Sequence, residues 1–244
     1  MKNEWIKTLQ AKAQELQIDA EAGKLVVSDA QAEGLYRYME LLLEWNEKMN
    51  LTALTDPADI MSKHFLDSAA GMGFLPEGTI ADIGTGAGFP GLVLKVMEPE
   101  RPVVLMDALQ KRLTFLQEVS RELGLSGVEF AHDRAEDAGQ KPQYREQYDG
   151  VVSRAVAALP VLLEYCVPFI KVGGLFLAYK GPALKEELEQ SKHALKVLGC
   201  SVESVHNIAL PGEDWEHLIA VIRKEKPTHH IYPRRQAKIK KDPL

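Results

Sequence analysis

Cysteine is scarce, with only Cys166 and Cys200 in 244 residues. Two thiols cannot build a disulfide framework or a four-thiolate metal site, and they suit a reducing compartment. A long hydrophobic run is also missing. The most apolar region, 155–179, is interrupted by Pro160, Glu164, Pro168 and Lys171, whereas a spanning helix needs about 20 mostly apolar residues. Residues 1–14 lack the continuous apolar stretch of an export signal. The expected location is therefore cytoplasmic, with no membrane partner. Internal repeats and low-complexity segments are absent. His132, His193, His206 and His217 are scattered, and the adjacent His229 and His230 point apart unless their loop folds back, so no metal is expected.

What is there is the balance of an ordinary globular protein, 45% hydrophobic and 26% charged. The length allows one large domain, or one with an appendage. A net charge of -6 conceals an asymmetry: Arg223 to Leu244 holds eight Lys and Arg against Glu225 and Asp242. Such a tail reads either as a phosphate-binding arm, with Tyr232 as a stacking face, or as a solvated, frayed end.

Residues 1–75 carry helix signals and no strand signals. Ser28 and Gln31 form a capping box opening a helix over 29–48, in which Leu35, Tyr38, Met39, Leu42, Trp45 and Met49 recur at helical spacing. Asp56-Pro57 supplies an N-cap and an N1 proline for a second helix to about Phe74. Past Pro76-Glu77-Gly78 the pattern alternates. Strands are expected at 79–83, 103–106, 128–131, 150–153, 174–179, 200–210 and 215–223. Helices are expected at 90–97, after Asp107 with Leu109, Leu113, Leu116, Val119 and Leu123 on one face, at 159–170 and at 183–198. The expected fold is α/β, a doubly wound, mostly parallel seven-stranded sheet with a closing antiparallel pair. The expected organisation is a helical extension (1–75), the sheet domain (76–224) and a basic tail (225–244). Ligands of such sheets bind beyond the carboxyl ends of the strands, where strand order reverses.

The first strand runs into Ala81-Asp82-Ile83-Gly84-Thr85-Gly86-Ala87-Gly88-Phe89-Pro90-Gly91. Its glycines allow a tight turn and close approach to a ligand, and Gly86 to Gly91 satisfies G-x-G-x-x-G, a weak match alone. Asp107, 19 residues after Gly88, is placed to accept hydrogen bonds from ribose hydroxyls. That requirement is common to NAD and S-adenosylmethionine. Asp82 favours the second, because a carboxylate beside the loop repels a pyrophosphate and attracts a sulfonium or ammonium group. After the third strand, His132 to Asp137 is either an adenine-contacting loop or a solvated turn. Arg154 can bind a cofactor carboxylate or an RNA phosphate, or be a plain surface arginine; Lys180 can contact RNA. His64 and Asp67, three apart on a helix, either face the substrate or bond locally. Asn46 and Asn50 suit capping as well as any function.

Glu44-Trp45-Asn46 with Asn50-Leu51-Thr52, Lys63-His64-Phe65-Leu66-Asp67-Ser68, Asp82 through Gly91, Asp107 with Lys111-Arg112, Ser153-Arg154-Ala155, Lys180-Gly181 and Tyr232-Pro233-Arg234 occur in that order. Together they resemble the bacterial small-subunit ribosomal RNA methyltransferase G family, also called the glucose-inhibited division protein B family, over essentially the whole chain. The resemblance implies a Rossmann-like class I S-adenosylmethionine-dependent enzyme that methylates guanine N7 in 16S ribosomal RNA within the small ribosomal subunit, releasing S-adenosylhomocysteine. It implies that Gly84 and Phe89 line the cofactor pocket, that Asp107 takes the ribose, that Ala135 and Glu136 meet the adenine and that Arg154 lies near the methionine end; with Asp82, Gly86 and Gly88 of the glycine loop these are the cofactor-binding candidates. Positioning candidates are Arg154, Lys180, His64 and Asp67. RNA-binding candidates are Lys63, Arg234, Arg235, Lys238 and Lys240. The residues agree with that chemistry. N7 has an available lone pair and needs alignment rather than a base. Ser153-Arg154-Ala155-Val156 is not the Asn/Asp-Pro-Pro-aromatic motif of amine methylation, and neither cysteine sits where an activated thiolate would be needed. The competing readings are an NAD-dependent oxidoreductase, a methyltransferase for another RNA or a small substrate, and a non-enzymatic RNA-binding module.

Overall fold

The computed structural model describes residues 2–19, 25–214 and 217–244. The amino-terminal part contributes α1 (Lys2–Glu15), β1 (Gln17–Ile18) and α2 (Asp29–Met49). The capping box forms as read: Ser28 Oγ accepts from the Gln31 amide, and Gln31 Oε1 accepts from the Ser28 amide at 2.7 Å. The Gln31 amide group also donates to Met97 O at 2.7 Å, pinning α2 to the sheet domain. Asn50 ends α2 at φ 49, while Asn46 Oδ1 accepts from Leu51 and Thr52, so this pair caps the helix. The second expected helix is three pieces in one run: α3 (Pro57–Asp59), a π-helical stretch (Ile60–Leu66) and α4 (Asp67–Ala70), followed by a 3₁₀ turn at Met72–Phe74.

Strand and helix then alternate through β2 (Ile80–Ile83), α5 (Gly91–Met97), β3 (Val103–Asp107), α6 (Gln110–Glu122), β4 (Val128–His132), α7 (Ala135–Ala138), β5 (Tyr148–Arg154), α8 (Leu159–Cys166) and β6 (Ile170–Lys180). The chain continues with α9 (Leu184–Gln190), α10 (Lys192–Leu198), β7 (Cys200–Ala209), β8 (His217–Lys224) and α11 (Gln236–Lys241). Trp215 and Glu216, expected to open the last strand, lie outside the described residues. The sheet order is β1-β7-β8-β6-β5-β2-β3-β4. Strands β4, β3, β2, β5 and β6 are parallel, and β8, β7 and β1 are antiparallel to their neighbours. The chain steps from β2 outward to β4 and returns to β5 on the other side of β2, so strand order reverses between β2 and β5. That switch point is where such sheets leave a crevice.

Four details differ from the sequence reading. The sheet has eight strands among the described residues, because Gln17–Ile18 pairs with Ala209 and Ile208 at an edge; two residues are too few to show a period. The helix expected over 183–198 is broken at Ser191, whose hydroxyl donates to Glu187 O at 2.6 Å. The helix expected at 159–170 ends at Cys166, and Pro168 lies in a 3₁₀ turn leading into β6. Leu109 precedes α6 and is 45% exposed, off the apolar face assigned to it. Helices cover both faces. One core joins α1, α2, the π-helical stretch, α5 and α6, and the other joins α7, α8, α10 and α11. Both cysteines are buried within the second core, which pushes the Cys166 thiol well above its usual range and the Cys200 thiol up to about 12. Neither is a ready thiolate.

Candidate functional site

Because β2, β3, β5 and β6 are parallel, their carboxyl ends share one edge, and the antiparallel β8 brings its first residue to that edge. Lys180 at the end of β6 pairs with Leu218, next to His217. Ile83, Asp107, Arg154 and Lys180 thus converge from four strands.

The loop after β2 is folded back on itself. Gly84 and Thr85 donate to Met106 O, and Gly88 and Phe89 donate to Thr85 O. Asp82 Oδ2 accepts from Thr85 Oγ1 at 2.7 Å and from the Gly91 amide at 2.8 Å. Two glycines here have distinct reasons. Gly86 (φ 61) would carry a Cβ into open space, 4.0 Å from the nearest atom, Gly84 O, so its backbone lies open to a ligand. Gly88 (φ 98) would drive a Cβ to 2.2 Å from Tyr38 Oη, so it is there for packing. Tyr38 donates to Ala87 O from the middle of α2, and Phe89 lies between the rings of Tyr38 and His64 at 5.7 and 4.2 Å. The amino-terminal helices therefore hold the glycine loop directly.

A cavity of about 630 Å³ opens at the switch point, walled by Gly84, Gly86, Phe89, Asp107, Ala135, Glu136 and Arg154, with His64, Val156, Tyr165 and Gln236. Of the nine cofactor candidates, seven line it. The other two do not. Asp82 is fully buried behind the loop, and Gly88 packs against α2. Asp82 therefore does not present its charge in the cavity, contrary to the expectation from sequence: its Oδ2 ties the turn together, and Oδ1 is buried without a hydrogen-bond partner. Burial raises its pKa to about 6, against the lowering effect of the Thr85 and Gly91 hydrogen bonds and the Arg154 charge. Asp107 Oδ2 accepts from the Gly86 amide at 2.9 Å and from Arg112 at 3.2 Å, while Oδ1 accepts from the Leu109 amide at 2.9 Å. Oδ1 can accept one further hydrogen bond, whereas Oδ2 is filled by Gly86 and Arg112.

Arg154 is no loose surface arginine. Its guanidinium pairs with Asp67, donates to Lys63 O at 3.1 Å and lies 5.2 Å over the Phe89 ring. Burial pushes the Asp67 pKa up, but the Arg154 charge and the His217 and Arg154 hydrogen bonds outweigh it, and the carboxyl sits below its usual range. His217 Nδ1 is 2.9 Å from Asp67 Oδ1. His64 Nε2 meets Thr52 Oγ1 at 2.8 Å, and burial, then the Arg154 charge, lowers its pKa to about 4. His64 is therefore neutral near pH 7.

That shift has a testable sign. The unfolded chain binds a proton at His64 below about 6.5 and the folded chain only near 4, so His64 contributes stability above 6.5 that is lost as pH falls through 4. Asp82 acts oppositely: its contribution is present below 3.8 and lost as pH rises through about 6. Comparing the protein with His64→Gln isolates the first group. The stability difference between them should grow from pH 4 to 6.5 by about 2 kcal/mol, after allowing for residual solvent at the ring. Denaturant titrations across that range check it, and a difference independent of pH would refute it.

A second cavity of about 400 Å³ shares His64, Arg154 and Ala155 with the first, and continues to Lys63, Asp67, Lys180, Glu187 and His217. All four positioning candidates line this cavity. His217 and Glu187 were missed from the sequence, since nothing at local spacing ties them to Asp67 or Lys180. Two RNA candidates are committed elsewhere. Lys63 pairs with Asp59 at 2.6 Å and Glu213 at 3.6 Å, and Arg234 forms a forked pair with the fully buried Glu164. Arg235, Lys238 and Lys240 are exposed, with Lys238 paired to Asp242.

The tail is not a frayed end. Arg145 donates to the carbonyls of Gly139, Tyr232, Thr228 and His229, and Ile239 is fully buried, so the segment docks on the domain. Arg234 lies 6.0 Å over the Tyr232 ring, partly covering the expected stacking face. The His229 and His230 rings lie together at 4.3 Å. Among the described residues no group of His, Cys, Asp and Glu could hold a metal ion, and no helix is long and apolar enough to cross a membrane.

With this geometry in view, similarity to known proteins is informative. The family described as GidB, rRNA small subunit methyltransferase G, matches residues 31–217. A ribosomal RNA small subunit methyltransferase G of Alkaliphilus metalliredigens is 51% identical over 221 residues, 89% of this chain and 92% of that one. One from Alkaliphilus oremlandii is 49% identical over 228 residues, 92% and 95% of the two chains. Among solved structures, a branched-chain polyamine synthase of Thermus thermophilus is similar over 79% of this chain and 64% of that one, with TM-score 0.54 and 12% identity. At that identity the likeness is one of fold alone.

Proposed function

Because the chain belongs to the ribosomal RNA small subunit methyltransferase G family, whose members use S-adenosylmethionine, we propose that the cavity at its switch point takes this donor and that the acceptor is guanine N7 of 16S ribosomal RNA. The enzyme acts on small-subunit ribosomal RNA. The observation that carries the site assignment is the pairing of an open Gly86 backbone with the Asp107 carboxylate across one cavity.

The residues fit the group. Asp107 would accept from one ribose hydroxyl at the site left on Oδ1 and from the other at Oδ2, in place of the half-exposed Arg112. Ala135 and Glu136, in the first turn of α7, would meet the adenine edge. Gly84, Gly86 and Phe89 would hold the methionine end, with Arg154 at its limit. When bound, the donor would supply an electrophilic methyl for the N7 lone pair, with sulfur keeping the electron pair of the C–S bond as the leaving group. No general base is required. What this chain does is align the reactants and exclude water, effects worth several kcal/mol when geometry is held. The helical segment 1–75 and the tail 225–244 belong to this working unit, the first by holding the glycine loop and the second through Gln236 in the cavity wall.

Purified protein incubated with methyl-labelled S-adenosylmethionine and unmodified small-subunit RNA should place label on guanine N7. Label on another atom, or none, overturns the reading. Exposed Arg235, Lys238 and Lys240, on the segment that puts Gln236 in the cavity wall, suit phosphate contacts that position the RNA. Changing the three to Gln should weaken RNA binding and flatten its salt dependence, by about 0.7 per lost contact for single strands. An unchanged slope in filter-binding titrations would remove the tail from RNA capture.

A further inference from the structure

The second cavity has a lining that defines its occupant. Each of its cations faces a carboxylate: Lys63 meets Asp59 and Glu213, Arg154 meets Asp67, and Lys180 meets Glu187 at 2.6 Å. A phosphate or carboxylate ligand would find no uncompensated positive charge here. A neutral, planar ligand with several hydrogen-bonding edges would find donors and acceptors side by side.

The Lys180–Glu187 pair is the most informative part. Lys180 Nζ has three donors. One goes to Ala157 O at 2.9 Å and the charge is paired with Glu187 Oε2, which leaves a donor for a ligand. Glu187 Oε2 also accepts from the Leu159 amide at 2.6 Å, so the bonds of this carboxylate fall on Oε2 and leave Oε1 to accept. An ammonium donor and a carboxylate acceptor therefore stand next to each other, half-buried, in the wall of a cavity joined to the donor site. Guanine presents the complement: O6 accepts, and the adjacent N1–H donates. Adenine presents the reverse, an amino donor beside a bare N1 acceptor. The wall shared with the donor cavity includes Ala155, a non-glycine residue at φ 57, an unfavourable conformation that persists where a site demands it.

The geometry points to the Lys180–Glu187 pair as the element that selects guanine, by reading its O6 and N1–H edge in the second cavity while N7 faces the methyl donor. This rests on the proposed guanine-N7 activity and extends it to a specificity pair. A site built to hydrogen-bond a substrate rejects the analogue with mismatched polar groups strongly.

The test uses full-length protein and ribosomal RNA carrying, at the position found by label mapping, either guanine or 2,6-diaminopurine. The analogue keeps N7 and the 2-amino group but reverses the O6/N1–H pattern. The unaltered protein should favour guanine by at least 100-fold in kcat/KM. Glu187→Gln should lower kcat/KM on guanine at least ten-fold, shrink the preference to below ten-fold, and leave S-adenosylmethionine affinity unchanged. Equal rates on both RNAs with the unaltered protein overturn the inference, whether or not the variant folds. A folded variant that slows both substrates alike and keeps the preference also overturns it. Absence of any methyl transfer to guanine RNA would instead be a failure of the underlying activity, so the two are separable.

Discussion

Arg234→Met is expected to destabilise the protein by about 3 to 5 kcal/mol, the usual consequence of leaving one member of a buried ion pair uncompensated. Glu164 is fully buried on α8, and three of its hydrogen bonds come from the Arg234 side chain: Nε to each carboxylate oxygen and Nη2 to Oε2 at 2.7 Å. Only the Arg234 amide would remain, at 2.7 Å from Oε1. For a chain of this size the melting temperature should fall by about 10 °C. The double variant Arg234→Met with Glu164→Leu removes both charges and should recover most of the loss, because replacing a buried pair by apolar groups is often neutral. Were Arg234 an RNA contact instead, the single variant would keep its stability and lose only RNA affinity. Thermal melts of the two variants decide.

Asp107→Ala is expected to weaken S-adenosylmethionine binding about 1,000-fold. Two hydrogen bonds from ribose hydroxyls to an ionised carboxylate are together worth about 4 kcal/mol, and each 1.4 kcal/mol is a factor of ten. The same change releases the Gly86 and Leu109 amides, which Asp107 holds at 2.9 Å, so the glycine loop loses an anchor as well. Asp107→Asn keeps an acceptor and a similar shape, and should show a smaller loss. Calorimetric titration with the donor measures both. Unchanged affinity in the alanine variant would remove Asp107 from the ribose.

Local features were the most legible in the sequence. The Ser28–Gln31 box, the Asp56-Pro57 cap and the glycine loop depend on residues a few positions apart, and their chemistry determines their geometry. The switch-point cavity followed from strand–helix alternation, since parallel strands bring their carboxyl ends to one edge. Asp82 shows the limit of that reasoning: it stands beside the loop, but its carboxylate in a fully buried strand bonds the Thr85 hydroxyl and the Gly91 amide instead of lining the cavity. Contacts between distant segments were not legible. Asp67 meets His217 only because β8 runs antiparallel, and Glu164 meets Arg234 only because the tail returns across α8. Composition described that tail as a basic stretch; Ile239 and the carbonyls that bond Arg145 decide that it docks. The Lys180–Glu187 pair was hidden because a lysine at a strand end and a glutamate on a polar helix each look ordinary alone.

In the proposed complex the methyl donor sits across the open glycine loop with its ribose on Asp107 and its methyl facing the second cavity. A crystal structure of the protein soaked with S-adenosylmethionine tests this most directly. Ribose oxygens are expected within hydrogen-bond distance of Asp107, with the sulfonium methyl directed past Arg154 toward Lys180 and Glu187. Donor density outside this cavity, or a cleft that refuses the donor and accepts NAD, would contradict it.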